Sequence, residues 1–209
     1  MKLHDSPTSP FARKVRVLLL ETGLDGRVDK TARAVTPTSP IDAVNADNPI
    51  GKVPALVTDD GLSLYDSPVI CEYLDGQQDG PRMFPAEGPA RWLALRRQAL
   101  GDGLLDAAIL GRYETALRPE DYRWQPWLEA QMLKIERSLD AMEAEAGALG
   151  DGADIGTITI ACALGYLDFR YGDNDWRAGR PGLAAWYEGF AQRPSMRETE
   201  PPDADPLKQ

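Results

Sequence analysis

Residues 1–75 alternate between short extended patterns and helical ones. Lys2–Asp5 predicts a strand. Ser9 and Pro10 then have the residue types favoured at a helix N-cap and at the first helical position, and Gly23 has the type that ends a helix. Between these signals, five residues recur at helical spacing and form one face of the helix: Phe11, Val15, Leu18, Leu19 and Thr22. The pattern therefore predicts a strand that leads directly into a capped helix.

Shorter elements continue the alternation. A second strand, a short helix and both arms of a hairpin are predicted at Val28–Val35, Ile41–Ala46, Ala55–Val57 and Leu62–Tyr65. The hairpin arms flank a turn sequence, Asp-Asp-Gly, at 59–61. The stretch "DSPVICEYL" then predicts another helix, with Ser67 as its N-cap and Pro68 as its first helical residue. This order predicts one α/β unit with a mixed sheet, which ends near Asp75.

The pattern changes after Asp75. Residues 76–89 are rich in Gly and Pro, and no convincing strand pattern follows them. The pattern predicts four helices, at Arg91–Leu117, Trp127–Ala146, Thr157–Arg170 and Leu183–Gln192. The third of them is almost wholly apolar, so we expect it to be buried. The first of them has a weak point at Gly101-Asp102-Gly103. We expect an α/β plus all-α protein. Its parts are an α/β domain at 1–78, a linker at 79–86, a helical domain at 87–200 and a loose tail at 201–209.

The composition is that of a globular protein with an acidic surface. Of the 209 residues, 43% are hydrophobic and 27% are charged, and the formal net charge is -10 with a pI of about 4.6. This charge disfavours nucleic acid and anionic membranes as partners, although it allows a local site for a small anion. The N-terminus has no basic start followed by an apolar stretch, and no apolar run is long enough to span a membrane. We therefore expect a cytoplasmic protein.

Few side chains offer covalent or metal chemistry. Cys71 and Cys162 lie far apart and form no CxxC pair, so we interpret them as buried thiols of a cytosolic protein. The single histidine, His4, lies on the first predicted strand and is poorly placed to take a proton from Ser9. This inventory predicts neither a Ser-His-Asp triad nor a histidine-based metal site.

Three positions in the α/β half favour an anionic ligand. Ser9 and Ser67 lie at predicted helix starts, where unpaired N–H groups attract anions, and Asp66 precedes the second of them. A cis bond at Val53-Pro54 would leave the N–H and C=O of the valine free to pair with an extended peptide. Lys52 adds a positive charge. Either serine alone is also an ordinary helix cap, but together these residues predict a groove for a short peptide that carries carboxylates.

The chain resembles a cytosolic glutathione transferase, and more narrowly the bacterial members with an "SPTSPFARKVR" start. The first half carries "SPFARKV", "NPIGKVPAL" and "DSPVICEYL", and the second half ends in "RPGLAAWYEGFAQRPSM". Each motif alone is weakly specific, whereas four in this order are strongly specific. The resemblance implies an N-terminal thioredoxin-like βαβαββα domain, a C-terminal all-helical domain and a homodimer.

The resemblance also implies roles at the centre of the groove. Ser9 would face the glutathione sulfur as the catalytic residue, and Thr8 beside it is an alternative donor. Phe11 is the best candidate for a wall of the pocket. The backbone of Val53 would pair with the cysteinyl part of glutathione, with Pro54 in the cis form.

Charged and polar partners are implied for the two ends of glutathione. Ser67 and its N–H would bind the α-carboxylate of the γ-glutamyl group, with Asp66 near the amine and Lys52 near the glycyl carboxylate. A thiol has a pKa of about 8.5, and a hydroxyl that donates to the thiolate lowers it by about one to two units. The implied activity is attack of glutathione, as co-substrate, on a small electrophilic molecule, with no metal.

Two other functions remain open from the sequence. The same groove is compatible with glutathione-dependent reduction of disulfides or peroxides, but the absence of cysteine at position 9 argues against a mixed-disulfide mechanism. A non-enzymatic glutathione-binding or interaction protein would share the fold. Retention of the groove residues favours ligand binding over a purely structural use of the fold.

Two expectations concern individual helices. Arg13, Lys14 and Arg16 predict a solvated or salt-bridged helix face. Many relatives carry Ser/Thr-x-x-Asp at the start of the buried sixth helix, whereas the corresponding stretch here is taken as Thr159-Ile160-Ala161-Cys162, with cysteine in place of aspartate. We therefore expect Asp154 or Thr157 to cap this helix instead.

Overall fold

The computed structural model describes residues 1–202. Its four strands are β1 (Lys2–Asp5), β2 (Asp29–Ala32), β3 (Ala55–Val57) and β4 (Ser63–Leu64). Three helices accompany the strands, α1 (Pro10–Glu21), α2 (Asp42–Asp47) and α3 (Ser67–Asp75). The helices that follow are α4 (Gly88–Ala116), α5 (Gln125–Ala144), α6 (Ile155–Arg170), α7 (Pro181–Phe190) and α8 (Pro194–Glu198).

The strands form one mixed sheet in the order β2-β1-β3-β4. β1 is parallel to β2 and antiparallel to β3, and β3 is antiparallel to β4. In the centre of the sheet Leu3 lies opposite Leu56, and both side chains are buried. The α/β plus all-α fold class is confirmed, as is the predicted order of strands and helices in the thioredoxin-like first half. The proposed domain limits remain a prediction, although α3 and α4 are separated by residues 76–87, which form no helix or strand.

The two helices that border the predicted groove start differently. Ser9 caps α1 as predicted, and its Oγ accepts a hydrogen bond of 3.3 Å from the N–H of Ala12. The prediction that Ser67 caps α3 is wrong, because Asp66 is the N-cap and its carboxylate accepts from the Ser67 N–H. Ser67 is instead the first helical residue, and Pro68 the second.

The helical half is built around α6, which is buried along most of its length against α4. Asp154 and Thr157 cap α6 reciprocally, at 2.8 and 2.9 Å, which confirms the expected source of the cap. α4 runs through Gly101 without a break. A Cβ at Gly101 would lie 2.8 Å from Cγ2 of Thr159, so glycine here permits the close approach of the two helices.

Basic residues of α1 join the two halves. Lys14 is fully buried and pairs with Asp102 of α4, and Arg13 is also buried. The Arg13 guanidinium donates to the Met196 carbonyl at 2.9 Å and to Thr199 Oγ1 at 3.3 Å. The prediction of a solvated face is therefore wrong for these two side chains, because α8 and α4 cover them, while the salt-bridged alternative holds for Lys14.

The remaining sequence predictions have mixed outcomes. The sequence pattern did not predict α8, which has only five residues. Cys71 and Cys162 are free and buried, as expected. Nε2 of His4 lies 2.7 Å from a carboxylate oxygen of Asp47, so this side chain ties β1 to α2. Of the predicted tail at 201–209, only residues 201 and 202 lie within the described residues, and they form no helix or strand.

Candidate functional site

The N-terminus of α1 borders a shallow depression. Ser9 is held there by its N–H, which donates to the Ser6 carbonyl at 3.1 Å, and by its cap on the helix. Thr8 and Ser9 are both partly exposed. The lining consists of Thr8, Ser9, Pro10, Arg13, Cys162, Tyr166 and Pro201. Thr8 and Ser9 of the first half therefore lie opposite residues that are supplied by α6 and by the segment after α8.

The loop before β3 contains one residue, Val53, whose backbone groups are unpaired within the described residues. Asn48 is buried and organises the loop, since its side chain donates to the Lys52 carbonyl at 2.9 Å and accepts from the Ile50 N–H at 3.0 Å. The Val53-Pro54 bond is cis, as predicted. Within residues 1–202 the N–H and C=O of Val53 have no hydrogen-bond partner. This residue therefore offers one donor and one acceptor to an extended ligand.

The start of α3 contains a buried hydroxyl without a partner. Ser67 is completely buried, and its Oγ makes no hydrogen bond within the described part of the chain. A buried polar group that is left unpaired costs about 1–3 kcal/mol, so such groups mark functional positions. The Ser67 N–H, to which the resemblance assigned a ligand carboxylate, donates to Asp66. The hydroxyl is therefore the polar side-chain group of this residue that has no partner within the described residues.

Carboxylates of α4 approach the same region. The pKa of the Asp106 carboxyl is raised, first because the surrounding protein desolvates it and then because of the negative charge of Asp66. The positive charge of Lys52 opposes this rise. Burial likewise raises the pKa of Asp102, against the nearby charge of Lys14. The charges of Lys52 and Asp66 therefore both act on Asp106 of α4, which is far from them in the sequence.

Phe11 lies outside the lining of the depression. Its ring is partly buried, packs against the hydrophobic core and lies 5.8 Å from Nζ of Lys14. The walls beside Ser9 are Tyr166 and Pro201, which sequence reasoning did not select. Both lie more than 150 residues from Ser9 along the chain, and no local pattern in the sequence indicated their approach.

Cys162 also lines the depression, although the sequence suggested only a packing role for it. The thiol is buried, and burial raises its pKa. Within the described residues, no group of three or more His, Cys, Asp or Glu side chains is arranged to hold a metal ion. None of the helices described is both long and apolar enough to span a bilayer.

Comparison with known proteins agrees with the motifs over both halves. The family model of the glutathione S-transferase N-terminal domain matches residues 3–82, and that of the C-terminal domain matches residues 125–189. The uncharacterized GST-like protein YibF of Escherichia coli K12 is 40% identical, over 98% of this chain and 100% of its own length.

Solved structures show the same relationship. A glutathione transferase family member from Pseudomonas fluorescens Pf-5, crystallised with glutathione, is 50% identical with a TM-score of 0.95, over 96% of this chain and 98% of that one. A structure from the same organism with bound S-(propanoic acid)-glutathione is 48% identical with a TM-score of 0.90, over 97% of this chain and 100% of that one. The chain belongs to the glutathione S-transferase family.

Proposed function

We propose that this protein binds glutathione in the groove between α1 and α3 and activates its thiol for attack on a small electrophilic molecule. The observation that carries the proposal is the Ser67 hydroxyl, which is buried and unpaired within residues 1–202. A ligand carboxylate at the start of α3 would accept from this hydroxyl and would lie in the favourable field of the helix N-terminus. Two related structures that hold glutathione or a glutathione thioether support this choice of ligand.

The rest of the groove fits the remaining parts of glutathione. Asp66 and Asp106 create a negative region that suits the γ-glutamyl ammonium group. The free backbone groups of Val53 suit the cysteinyl unit, and the exposed ammonium of Lys52 suits the glycyl carboxylate. With both ends held in this way, the cysteinyl sulfur would lie near the start of α1.

Ser9 then acts on the sulfur. Its hydroxyl accepts from the Ala12 N–H, which leaves its own hydrogen free to point at a thiolate. A hydrogen bond to a charged group is worth about 1.5–3 kcal/mol, so the bound thiol ionises at a lower pH than free glutathione. The thiolate is the nucleophile, so the reaction requires neither histidine nor metal. Thr8 is the alternative donor.

Reduction of disulfides is the competing function, because Cys162 lines the depression next to Ser9. A reductase of this type would need a thiolate that forms a mixed disulfide. Burial raises the pKa of the Cys162 thiol, so it stays protonated near neutral pH and is a weak nucleophile. We therefore favour thioether formation over a cysteine-based reduction.

We also propose that the protein is a cytosolic homodimer. Both thiols are free, in keeping with a reducing compartment. Val69 of α3 and Trp92 of α4 are 48% and 68% exposed, and an ion pair of 2.7 Å between Glu72 and Arg91 holds these two surfaces together. A second copy that covered this surface would remove both apolar side chains from water. Sedimentation of a Trp92→Glu variant as a monomer, beside a dimeric wild type, is the expected result.

Titration calorimetry and a substrate panel test the function. Purified protein is titrated with glutathione, and its turnover is then followed with aryl and alkyl halides, unsaturated ketones, disulfides and peroxides. Turnover of carbon electrophiles without disulfide reduction is the expected result. Reduction of disulfides that Cys162→Ala abolishes would establish the competing function. Binding of glutathione with no turnover would show a non-enzymatic binding protein.

A further inference from the structure

Asn48 lies directly after α2 and uses both its backbone and its side chain on the loop that follows. The residue is 2% exposed. Its N–H donates to the Val44 carbonyl at 2.7 Å and so closes the end of the helix. Its own carbonyl accepts from the Gly51 N–H at 2.8 Å, and its Oδ1 accepts from the Ile50 N–H at 3.0 Å. One residue therefore fixes the turn at 48–51 by two separate hydrogen bonds.

The remaining hydrogen bond of Asn48 orients a single peptide group. Its Nδ2 donates to the Lys52 carbonyl at 2.9 Å. This carbonyl and the Val53 N–H belong to the same peptide group, which is planar and trans, so the two bonds point in opposite directions. Because Asn48 holds the carbonyl, the Val53 N–H is aimed away from Asn48. A carbonyl that accepts a hydrogen bond also polarises its peptide group and makes the N–H a better donor.

The Val53 N–H is the group whose direction matters for a ligand. It has no hydrogen-bond partner within residues 1–202, and Val53 is partly exposed. A donor that the protein already holds in place binds an acceptor at a lower entropic cost than a donor on a loop that must first become ordered. The side chain of Asn48 thus supplies the order that an extended ligand would need at Val53.

We propose that Asn48 is a positioning residue for glutathione, which it does not touch itself. Its bond to the Lys52 carbonyl aims the Val53 N–H at the cysteinyl carbonyl of the ligand. This inference rests on the proposed function, because it requires glutathione to lie along Val53. It assigns the effect to one donor group, the Nδ2 amide of Asn48, and not to the stability of the loop in general.

Asn48→Asp removes this donor and little else. Aspartate has nearly the same shape, and its carboxylate still accepts from the Ile50 N–H, but it has no hydrogen to give to the Lys52 carbonyl. The carboxyl becomes a donor again when it takes up a proton. Burial raises the pKa of a carboxyl group, so this proton should bind in mildly acidic solution. Asn48→Ala loses both contacts and has no proton to gain.

Titration calorimetry with glutathione between pH 7.5 and pH 5 tests the inference. Asn48→Asp should bind about 10-fold more weakly than wild type at pH 7.5 and within about 3-fold of it at pH 5. Asn48→Ala should stay about 10-fold weaker at every pH. The ratio to wild type at each pH removes the titration of glutathione itself and of the groups that all variants share.

Thr58→Ala provides the control for a general loss of stability. Thr58 is buried at the other end of β3, where its Oγ1 accepts from the Leu62 N–H at 2.9 Å and donates to the Leu62 carbonyl at 3.1 Å. This variant should be less stable than wild type in urea but should bind glutathione within about 2-fold of it. The apparent pKa of the bound thiol, which the proposed function assigns to Ser9, should stay the same in all these variants.

Two results would overturn the inference and leave the proposed function intact. Wild-type affinity of Asn48→Asp at pH 7.5 would show that the amide only stabilises the loop. Equal affinities of Asn48→Asp and Asn48→Ala at every pH would show that the donor has no part in binding. If Asn48→Asp does not fold at pH 7.5, its affinity at pH 5 decides, since a value above that of Asn48→Ala supports the inference and an equal value refutes it. If wild type does not bind glutathione, the proposed function fails, and this inference fails with it.

Discussion

Nζ of Lys14 lies 2.6 and 2.8 Å from the two carboxylate oxygens of Asp102. The Lys14 side chain is fully buried, while that of Asp102 is 19% exposed. Lys14 lies on α1, the helix that begins after Ser9, and Asp102 lies on α4 of the helical half. This ion pair therefore fixes the position of α1 relative to the second half of the protein.

Single substitutions in this pair should destabilise the protein unequally. Asp102→Leu strands a fully buried ammonium group and should lower the free energy of unfolding by about 3–5 kcal/mol. Lys14→Met should cost less, because the pKa of Asp102 is already raised by burial and its carboxyl can take up a proton. The double variant should recover part of the loss. Urea denaturation measures all three, and equal effects of the two single changes would contradict this account.

The two glycines on either side of Asp102 should respond oppositely to alanine. A Cβ at Gly101 would lie 2.8 Å from Thr159 Cγ2 and 3.2 Å from the Thr159 backbone carbon, whereas Gly103 has no atom within 4 Å of that position. Gly101→Ala should therefore lower the free energy of unfolding by about 1–3 kcal/mol. Gly103→Ala should raise it by up to about 1 kcal/mol, since alanine is the better helix former. Thermal and urea denaturation of the pair would show opposite signs, and a shared sign would refute the packing argument.

Acid should weaken the contact between α1 and the C-terminal segment. Glu21 accepts hydrogen bonds from Arg193 at 2.7 and 2.9 Å and a further one from Ser195. The hydrogen bonding of Arg193 is the main reason that the pKa of Glu21 lies below its usual 4.5. A carboxyl with a lowered pKa contributes stability above its unfolded pKa and loses it as the pH falls through the folded value. Wild type should therefore lose stability below about pH 4.5.

Glu21→Gln should be less stable than wild type at pH 7 and should lose less stability between pH 5 and pH 3. The exposed Glu188 provides the control, because Glu188→Gln should leave the pH dependence of wild type unchanged. Urea midpoints measured across this range compare the three proteins. Parallel curves for wild type and Glu21→Gln would exclude Glu21 as a source of the acid sensitivity.

The sequence predicted those features that depend on local residue types. The Ser9 cap, the cis Val53-Pro54 bond and the reciprocal cap of α6 each follow from a few adjacent residues, and the structure has all three. The cap of α3 was placed one residue late, because aspartate and serine both favour this position and they are neighbours here. Side-chain preferences alone do not separate two such candidates.

Features that depend on tertiary contacts were not predictable in this way. Lys14 carries a charge, and its burial follows only from the position of Asp102, 88 residues later. Tyr166 and Pro201 reach Ser9 through the packing of the helical half on α1. An apolar helix such as α6 predicts burial, but it does not indicate which of its side chains borders a site. The helix cap at Ser9 and the cis bond of the first half were therefore accessible to sequence analysis, while the side chains of the helical half that line the depression were not.

Ser67→Ala should separate ligand binding from stability. The hydroxyl is buried and unpaired within the described residues, so its removal should leave the free energy of unfolding unchanged or raise it by up to about 1 kcal/mol. Glutathione should bind about 10- to 100-fold more weakly, because a hydrogen bond to its carboxylate is lost. Calorimetry and urea denaturation on the same preparation test both statements. Unchanged affinity in a folded variant would place the α-carboxylate elsewhere.

Ser9→Ala should affect the rate far more than the binding of glutathione. In the proposed binding mode the sulfur contact matters only when the thiol ionises, whereas other residues would hold the two ends of glutathione. The apparent pKa of the bound thiol should therefore rise by about one to two units, with affinity within a few-fold of wild type. Loss of the cap on α1 should also lower the free energy of unfolding by about 1 kcal/mol.

Thr8→Ala is the matched control for this change, because Thr8 lies next to Ser9 but does not cap the helix. Thiolate absorbance is titrated against pH for glutathione bound to each variant, and the rate with one electrophile is followed over the same range. The rate loss in Ser9→Ala should be greatest near neutral pH and should shrink above the raised pKa, where the thiol ionises without help. A shift of the titration in Thr8→Ala alone would make Thr8 the donor. A shift in neither variant would leave the N-terminus of α1 as the remaining source of thiolate stabilisation, and the hydroxyl mechanism would be wrong.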